Sequence, residues 1–489
     1  MYDYIIIGAG INGSFMAHEL SKYNLNVMVI EKGPDVATGA TIANSAIIHA
    51  GHDPKPGTLK AKLNVEGNSM YPKICKDLDA DFKHTSAFVT ATSMEESPSI
   101  DMLYKQAKGR NIPCEILDKG QAKALEPNLS DNTVKVLNLP STGIITPWEV
   151  AYNLMEEAII NGVELSLNIK VLGIISRPKT CYVDKSQSMG RLGYEIITNK
   201  GTFKTANIIN AAGVYADEIY NMLKPKESFS ITGRKGEYYI LDKLANPLVN
   251  RVIYPIPSSK GKGVLVVPTV HGNTLLGPSS DFIDDKGGNF TDTETLKYVK
   301  AQVNRTVKNI PFNKVIKTYA GLRPTGNTGD FIISESDEFQ GFINVAAIES
   351  PGLASAPAIT KYVLNTIIEK QVILKPKKQY INRTKLPILN RMSLEEKIKL
   401  WNKEPKYGNI ICRCESISEG EILDAIRRPL GATTVDGIKR RVRPGSGRCQ
   451  GGFCQPEIIN ILARELNKPV EEIALFNKDS NIITKGEIN

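Results

Sequence analysis

The chain has no long hydrophobic run. Its apolar stretches have the length of a strand, whereas a helix needs roughly 20 apolar residues to cross a bilayer. The first residues lack the basic segment and the cleavage site of a secretory signal. Internal repeats and low-complexity tracts are absent as well. These absences predict a cytoplasmic protein with no integral membrane segment, and they leave peripheral contact with a membrane open.

The net charge is low for the length. Lys and Arg exceed Asp and Glu by only 9 in 489 residues, and the basic residues are scattered and not interleaved with aromatic ones. This pattern argues against nucleic acid as a partner. The excess fits an anionic substrate, an acidic partner or a solvated surface. With 41% hydrophobic and 23% charged residues, the composition is that of an ordinary globular protein of two or three domains.

Cysteine is scarce over most of the chain and concentrated near one end. Of seven cysteines, Cys75, Cys114 and Cys181 stand alone, and each is expected to be a small buried hydrophobic residue. The other four fall within one short window. In a reducing cytoplasm, such clustering predicts a metal site and not disulfides. The four candidate ligands are Cys412, Cys414, Cys449 and Cys454.

Residues 4–31 have the pattern of a dinucleotide-binding βαβ unit. Residues 4–7 and 27–30 are short, apolar and mostly β-branched, which predicts two buried parallel strands with a helix between them. The second strand ends on Glu31, where a carboxylate can accept hydrogen bonds from the ribose hydroxyls of an adenosine. The unit therefore predicts a site for FAD or NAD and does not distinguish the two.

Three glycines between the first strand and the helix have different physical tasks. Gly8 permits a tight turn, Gly10 lets the backbone approach a pyrophosphate, and Gly13 lets the helix pack closely on the strand. The N-terminus of the helix then offers free N–H groups and the positive end of its dipole to the phosphates.

Later segments follow a different pattern. Residues 231–270 are rich in strand and turn signals, which predicts an antiparallel sheet. We therefore predict an α/β fold in which a Rossmann-like dinucleotide-binding domain is interleaved with an antiparallel-sheet substrate domain. Together these two occupy residues 1–375. A linker with one helix is predicted at 376–405, and a small C-terminal domain that holds the clustered cysteines at 406–489.

Several segments after Glu31 could contact a flat cofactor because their residues are small. A helix is predicted to open at Ser350, and the positive end of its dipole could stabilise the negative charge that reduction places on a flavin. The candidate cofactor contacts in these segments are Asn44, Ser45, Ala212, Gly213, Asp330, Ser350, Gly352 and Leu353.

Taken in order, these pieces resemble the D-amino-acid-oxidase superfamily of FAD enzymes over about residues 1–370. The resemblance implies that the dinucleotide is FAD. Residues 44–51, 268–271 and 321–324 look like those of the FAD-dependent glycerol-3-phosphate dehydrogenases and oxidases within that superfamily. The L-2-hydroxyglutarate dehydrogenases share a very similar His-Ala-Gly segment, so both substrates remain open on that segment alone.

Oxidation of a secondary alcohol needs a base for the hydroxyl proton and an acceptor for the hydride, which flavin N5 provides. His49 is the predicted base, since imidazole titrates near neutral pH. His52 and His271 are the alternatives. Arg323 offers a planar fork for a phosphate or carboxylate, and Lys262 could supply a second positive charge.

The C-terminal cysteines form a CxC pair and, 34 residues later, a CxxxxC pair. Two pairs of thiolates could bind zinc or an iron–sulfur cluster, but this spacing differs from that of common zinc sites. Residues 412–415, 431–434 and 447–454 resemble the small [2Fe–2S] domain named after bacterioferritin-associated ferredoxin. The resemblance implies a [2Fe–2S] cluster on all four cysteines. The basic residues 439–441 could offset the thiolate charge or dock an acidic partner.

These features together predict a dehydrogenase that oxidises sn-glycerol 3-phosphate with FAD and passes electrons singly through the cluster to a second redox subunit or electron carrier. The cluster favours a dehydrogenase, because an oxidase returns electrons from the flavin directly to oxygen. A 2-hydroxy acid such as L-2-hydroxyglutarate, or an amine or amino acid, is the alternative substrate. The alternative of another class is a non-catalytic electron-transfer subunit that binds FAD but no substrate.

Overall fold

The chain builds two large sheets from alternating segments, and a computed structural model describes residues 1–178, 192–257 and 263–483. The strands in these ranges are β1 (Tyr2–Ile7), β2 (Val27–Ile30), β3 (Ile47–Ile48), β4 (Phe82–His84), β5 (Ala87–Ala91), β6 (Glu115–Asp118), β7 (Lys135–Asn138), β8 (Gly143–Ile145), β9 (Glu164–Ser166), β10 (Val171–Pro178), β11 (Leu192–Thr198), β12 (Gly201–Asn210), β13 (Ile231–Leu241), β14 (Val252–Pro255), β15 (Leu265–Pro268), β16 (Thr274–Gly277), β17 (Asp281–Ile283), β18 (Val315–Gly326), β19 (Ile332–Glu335), β20 (Phe342–Ala346), β21 (Ile410–Cys412) and β22 (Ile417–Ser418).

The α-helices in the same ranges lie mainly on the sheet faces and in the C-terminal domain. They are α1 (Ile11–Leu20), α2 (Leu59–Asp77), α3 (Ser97–Lys108), α4 (Lys119–Leu125), α5 (Pro147–Ile160), α6 (Ala216–Asn221), α7 (Thr293–Thr306), α8 (Gly352–Val363), α9 (Glu369–Gln371), α10 (Leu394–Lys403), α11 (Glu419–Arg427), α12 (Val435–Val442) and α13 (Gln455–Leu466). In this described part of the chain, no helix is long and apolar enough to cross a membrane.

The first sheet has the order β10-β11-β12-β1-β2-β9, and β20 also pairs with β12. Strands β12, β1, β2 and β9 run parallel, so the apolar runs predicted as buried parallel strands are confirmed. The second sheet has the order β17-β13-β16-β15-β14-β5-β7-β6, with β18 on β13. Its pairs are antiparallel except β5 with β14. The chain moves between the two sheets several times, which confirms the predicted interleaved α/β architecture.

The turn between β1 and α1 depends on two glycines. Gly8 has φ +104°, in the left-handed region that other residues rarely adopt. A Cβ atom on Gly13 would lie 1.9 Å from the carbonyl oxygen of Gly8. Helix α1 can therefore sit on the end of β1 only because both positions lack a side chain. This packing directs the N-terminus of α1 along the carboxyl edge of the first sheet.

The C-terminal domain has its own small core, in which α11, α12 and α13 pack their apolar faces together. Ile422, Ile438 and Leu462 are fully buried there. Strands β21 and β22 form a short hairpin beside this core. The division of the chain at residues 375 and 405 stays a prediction, although α10 does lie within the segment predicted as a linker.

Buried ion pairs attach the C-terminal domain to the first sheet. Asp35, in the loop after β2, accepts hydrogen bonds from Arg441 at 2.8 and 3.0 Å, and Arg440 lies 3.4 Å away. Arg440 also donates to the hydroxyl of Tyr152 at 2.7 Å. Burial by itself would raise the pKa of Asp35, but the two guanidinium groups outweigh it and lower that pKa. Glu156 makes a second such contact with Arg428.

Replacing Asp35 with Ala should destabilise the junction strongly. The side chain of Arg441 is fully buried, so the variant would leave its charge without a partner. Breaking a buried ion pair from one side typically costs about 3–5 kcal/mol. The loss is measured as the drop in urea stability of the C-terminal domain, followed by hydrogen exchange of its amides.

The matched control is Asp77→Ala, which removes the carboxylate of a surface pair with Lys73, whose side chain is 81% exposed. That change should cost under about 1 kcal/mol. Equal effects of the two substitutions would show that the Asp35 contact does not hold the domains together.

Candidate functional site

A cavity of about 1420 Å³ opens between the two sheets and extends to the C-terminal domain. Its volume exceeds that of typical small-molecule pockets, which hold about 300–1,000 Å³. A dinucleotide together with a small substrate therefore has room here. The residues predicted from the sequence that lie on its wall are Gly8, Gly10, Glu31, Asn44, Ser45, His49, Ala212, Gly213, Arg323, Ser350, Gly352 and Leu353.

Glu31 closes one end of the cavity. Its carboxylate accepts hydrogen bonds from the backbone N–H groups of Ala9 at 2.8 Å and Gly33 at 2.7 Å. Burial raises the pKa of Glu31, and these N–H donors oppose the rise. The bonds fix the carboxylate beside the start of α1, where an adenosine ribose would lie next to a pyrophosphate on the helix N-terminus.

Two stacked tyrosines support the segment that contains Asn44 and Ser45. The rings of Tyr238 and Tyr319, on β13 and β18, lie 4.6 Å apart and nearly parallel. The hydroxyl of Tyr319 donates to the carbonyl of Asn44 at 3.0 Å, and that of Tyr238 lies 3.0 Å from the hydroxyl of Ser45. The second sheet thus holds a loop of the first domain in place. The sequence reasoning did not single out either tyrosine.

His49 follows β3, and its ring is held from the second sheet. Its Nδ1 lies 2.8 Å from the hydroxyl of Tyr254 on β14. Its carbonyl accepts a hydrogen bond from Asn64 at 2.7 Å, so the backbone is fixed as well. Of the two alternative bases, His271 lies on the cavity wall, where burial lowers its pKa to about 3, whereas His52 is buried and lies off the wall.

Arg323 lies on β18 with its guanidinium against backbone carbonyls. Nε donates to Arg234 at 3.3 Å, and Nη2 donates to Lys235 at 3.2 Å and to Ser279 at 2.7 Å. Within the described residues, Nη1 makes no hydrogen bond. Burial lowers the pKa of Arg323, although guanidinium stays charged in proteins. Nε and Nη2 of the planar group are therefore anchored on carbonyls, and the residue lines the cavity.

A second charged group on the wall was missed at the sequence level. Glu349 accepts from Lys60 at 2.7 Å and from Thr325 at 2.8 Å, and Arg234 lies 3.5 Å away. Burial would raise the pKa of Glu349, but Lys60 and Arg234 lower it overall. Lys60 and Arg234 are 289 and 115 positions from Glu349 in the chain, so no local motif could indicate that these charges meet.

The N-terminus of α8 points into the cavity. Its N-cap residue is Pro351, which provides no side-chain cap, and Ser350, Gly352 and Leu353 lie on the wall. The positive end of the helix dipole, with no side-chain cap on it, therefore favours negative charge at this place.

Two predicted site residues lie off the cavity wall, and a third falls outside the described residues. Gly13 lies within α1 and packs against the end of β1, off the cavity wall. Asp330 accepts hydrogen bonds from the backbone of Leu59 at 2.7 Å and Lys60 at 3.1 Å, so its carboxylate caps the N-terminus of α2. Lys262, like Cys181, lies outside the described residues. The roles predicted for these residues stay predictions.

The C-terminal domain contributes to the same cavity. Lys439, Arg440 and Arg443 lie on its wall, next to Ser446 and Gln450. Burial, with Lys317 beside it, lowers the pKa of Lys439 to about 8. The basic run at 439–441 was noted in the sequence, but its position on the cavity follows only from the docking of the two domains.

The four clustered cysteines come together in pairs. The sulfur atoms of Cys414 and Cys449 are 3.6 Å apart. Two thiolates on one tetrahedral metal, with bonds near 2.3 Å, lie about 3.7 Å apart. Cys454 hydrogen-bonds to Cys412 and lowers the pKa of the Cys412 thiol to about 6. In the described ranges, no three His, Cys, Asp or Glu side chains are arranged to bind one metal ion. Two pairs fit a cluster in which each iron takes two thiolates.

Comparison with known proteins agrees with this geometry. The profile of the FAD dependent oxidoreductase family, DAO, matches residues 3–365, and that of the BFD-like [2Fe-2S] binding domain matches residues 410–464. A glycerol 3-phosphate dehydrogenase of Caloramator mitchellensis is 46% identical over 99% of this chain and 98% of its own length.

A glycerol 3-phosphate oxidase of Mycoplasma genitalium is 31% identical over 76% of this chain and 97% of its own. Among solved structures, the L-alpha-glycerophosphate oxidase of Mycoplasma pneumoniae with FAD bound is similar with a TM-score of 0.72 and 28% identity, over 79% of this chain and 99% of that one. The cofactors predicted from the sequence, FAD and a [2Fe–2S] cluster, are confirmed by these matches. The chain therefore belongs to the DAO family of FAD dependent oxidoreductases and carries a C-terminal BFD-like [2Fe-2S] domain.

Proposed function

We propose that this chain oxidises sn-glycerol 3-phosphate to dihydroxyacetone phosphate and passes the electrons through its [2Fe–2S] cluster to a partner in the cytoplasm. The observation that carries the proposal is the wall of the cavity, which brings a histidine and an anchored arginine to the same space as the cofactor residues. The full-length similarity to a glycerol 3-phosphate dehydrogenase supports the substrate.

FAD would lie along the carboxyl edge of the first sheet. Glu31 would hold its ribose, Gly8 and Gly10 its pyrophosphate, and Asn44 and Ser45 would contact its ring system. The remaining predicted contacts, on the wall beside these, are Ala212, Gly213, Ser350, Gly352 and Leu353. Bound FAD supplies an acceptor for the substrate hydride.

His49 would remove the proton of the substrate hydroxyl. When Nδ1–H donates to the oxygen of Tyr254, the lone pair of Nε2 is the one that can accept this proton. Arg323 would bind the phosphate through its unanchored edge, since its other nitrogens are fixed on carbonyls. Lys262 is proposed as a second positive charge for the same phosphate.

The electron route is proposed because cluster and cavity are neighbours. Gln450 lies on the cavity wall and is directly bonded to Cys449. A cluster at this place would be next to the flavin site and could take electrons one at a time. The acceptor would be a second redox subunit or an electron carrier.

Replacing His49 with Gln should slow the reduction of bound flavin by about 10²–10⁴-fold, the usual range for loss of a general base. The measurement is stopped-flow flavin absorbance after anaerobic mixing with glycerol 3-phosphate. L-2-Hydroxyglutarate and proline are mixed in parallel, and faster bleaching by either would reassign the substrate. The control is His84→Gln, an exposed histidine off the cavity; a wild-type rate in the His49 variant would exclude the base role.

Tyr254→Phe should lower the same rate by about 5–10-fold, because the lost hydrogen bond is worth about 1 kcal/mol. Tyr254 is a positioning residue, so the pH dependence of the rate should change as His49 loses its fixed tautomer. An unchanged pH profile would show that Tyr254 has only a packing role. Tyr239→Phe, on the same sheet and off the wall, is the matched control.

Cys449→Ala should abolish the paramagnetic signal that a reduced [2Fe–2S] cluster gives, since it removes one of four ligands. Cys114→Ala, at an isolated and half-buried cysteine, should keep the signal. Flavin content should stay the same in both. A bound zinc ion with no paramagnetic signal in the wild type would refute the cluster assignment.

A further inference from the structure

The outer side of the cysteine cluster carries an exposed aromatic residue. Phe453 lies between Cys449 and Cys454 in the sequence and is 86% exposed. Among the large hydrophobic residues of the described chain, only Ile373 is more exposed, at 88%. Leaving a phenylalanine in water forgoes the favourable free energy of its burial. An aromatic side chain in this position is typical of a contact that forms with another molecule.

Two arginines are chain neighbours of Cys414 and Cys449, whose sulfur atoms lie 3.6 Å apart. Arg413 precedes Cys414 and Arg448 precedes Cys449, and both are exposed. Arg413 makes no ion pair or hydrogen bond within the described residues. Arg448 is 77% exposed and lies 3.5 Å from Asp242. We call these three exposed side chains, Arg413, Arg448 and Phe453, the cluster rim.

Acidic side chains contribute little to the rim. Glu415, the residue after Cys414, is buried and already paired with Lys243 at 3.0 Å and Arg443 at 3.1 Å. Its charge is therefore neutralised from inside the protein. The rim therefore combines the exposed Arg413, the exposed Arg448 beside Asp242, and one exposed aromatic ring, a set that complements an acidic surface.

The cysteines themselves are buried unequally. Cys412 and Cys454 are each 2% exposed, whereas Cys414 is exposed. One side of the cluster site therefore faces the domain core and the other faces the rim. Because electron transfer falls off steeply with distance, an acceptor gains access where the sulfur atoms reach the surface.

We propose that the cluster rim docks an acidic one-electron carrier protein. This inference rests on the electron exit proposed above and adds the surface and the chemistry of the partner. Glycerol 3-phosphate would release two electrons and two protons to give the ketone, and two oxidised carriers would each gain one electron. The small rim fits a transient redox contact, which typically buries less than about 1,200 Å². One phenylalanine is too little apolar surface for stable binding to a membrane.

Binding is tested without turnover. Oxidised holoprotein is titrated calorimetrically with oxidised cytochrome b5, an acidic haem protein, and with cytochrome c, a basic one. The wild type should prefer cytochrome b5, and added salt should weaken the complex. The double substitution Arg413→Glu with Arg448→Glu should raise the Kd for cytochrome b5 by at least about tenfold and reverse the preference.

The matched control changes the same charge elsewhere. Lys105 and Lys108 are exposed on α3, outside the C-terminal domain that holds the four clustered cysteines, and Lys105→Glu with Lys108→Glu should leave the Kd within about twofold. If both double variants weaken the binding of cytochrome b5 equally, the effect comes from net charge and not from the rim, and the proposal is overturned. Phe453→Ser is the second, charge-neutral variant, and it should also weaken binding. Unchanged binding in both rim variants would overturn the proposal as well.

A kinetic test separates this proposal from the proposed function. Holoprotein is reduced with Ti(III) citrate, without substrate, and mixed with oxidised cytochrome b5. The rim variants should reduce it at least about tenfold more slowly, while their flavin is reduced by glycerol 3-phosphate at the wild-type rate. If glycerol 3-phosphate fails to reduce the flavin but the rim effect holds, the substrate is wrong and the docking surface stands.

A membrane is the competing occupant. Wild type and rim variants are sedimented with vesicles of phosphatidylcholine that contain about 30% phosphatidylserine, whose anionic surface attracts basic residues. In one outcome the wild type sediments with the vesicles while the rim variants do not, and cytochrome binding is equal in all of them. That result would assign the rim to a lipid surface and overturn the proposal of a protein partner.

Discussion

A buried carboxylate must be paired, and the pairing of Asp35 ties the two halves of this protein together. The loop that carries Asp35 also shapes the dinucleotide site, because Ala37 donates to the carbonyl of Ala9 at 3.0 Å. The arginines that pair with Asp35 belong to α12. Lys439 of the same helix and Arg443 at its C-terminus lie on the cavity wall. The Asp35 contact thus links the position of the cluster domain to the loop that shapes the cofactor site.

The side chains proposed to act on the substrate are also held in place by contacts with other parts of the chain. His49 and Arg323 sit on different domains, and each is held by atoms of the second sheet: a tyrosine hydroxyl for the histidine, and backbone carbonyls for the arginine. Groups fixed in this way lose little freedom when a substrate binds. The second sheet therefore does more than enclose a substrate, since it also aims the side chains that would act on it.

The motifs formed by residues close together in the sequence could be predicted. The contacts between residues far apart in the chain could not, because they depend on the topology of the fold. Sequence spacing alone indicates Gly8, Glu31 and the paired cysteines, because their roles depend on residues nearby in the chain. The partnership of Tyr254 with His49 spans 205 residues, and no local pattern encodes it. Asp330 shows another long-range contact: its carboxylate lies on the N-terminus of α2, 271 residues away in the chain, and the Gly-Asp pair gives no sign of this partner.

The interleaved topology also has a consequence for how the chain can fold during synthesis. Strand β1 is made first, but its sheet is complete only when β20 has paired with β12, after residue 346. The second sheet likewise waits for β14 to join β5. Such distant pairings are slow to form, and unpaired strand edges stay exposed meanwhile. The emerging chain should thus depend on protection from aggregation until most of its length has left the ribosome, and the cofactor can be captured only late.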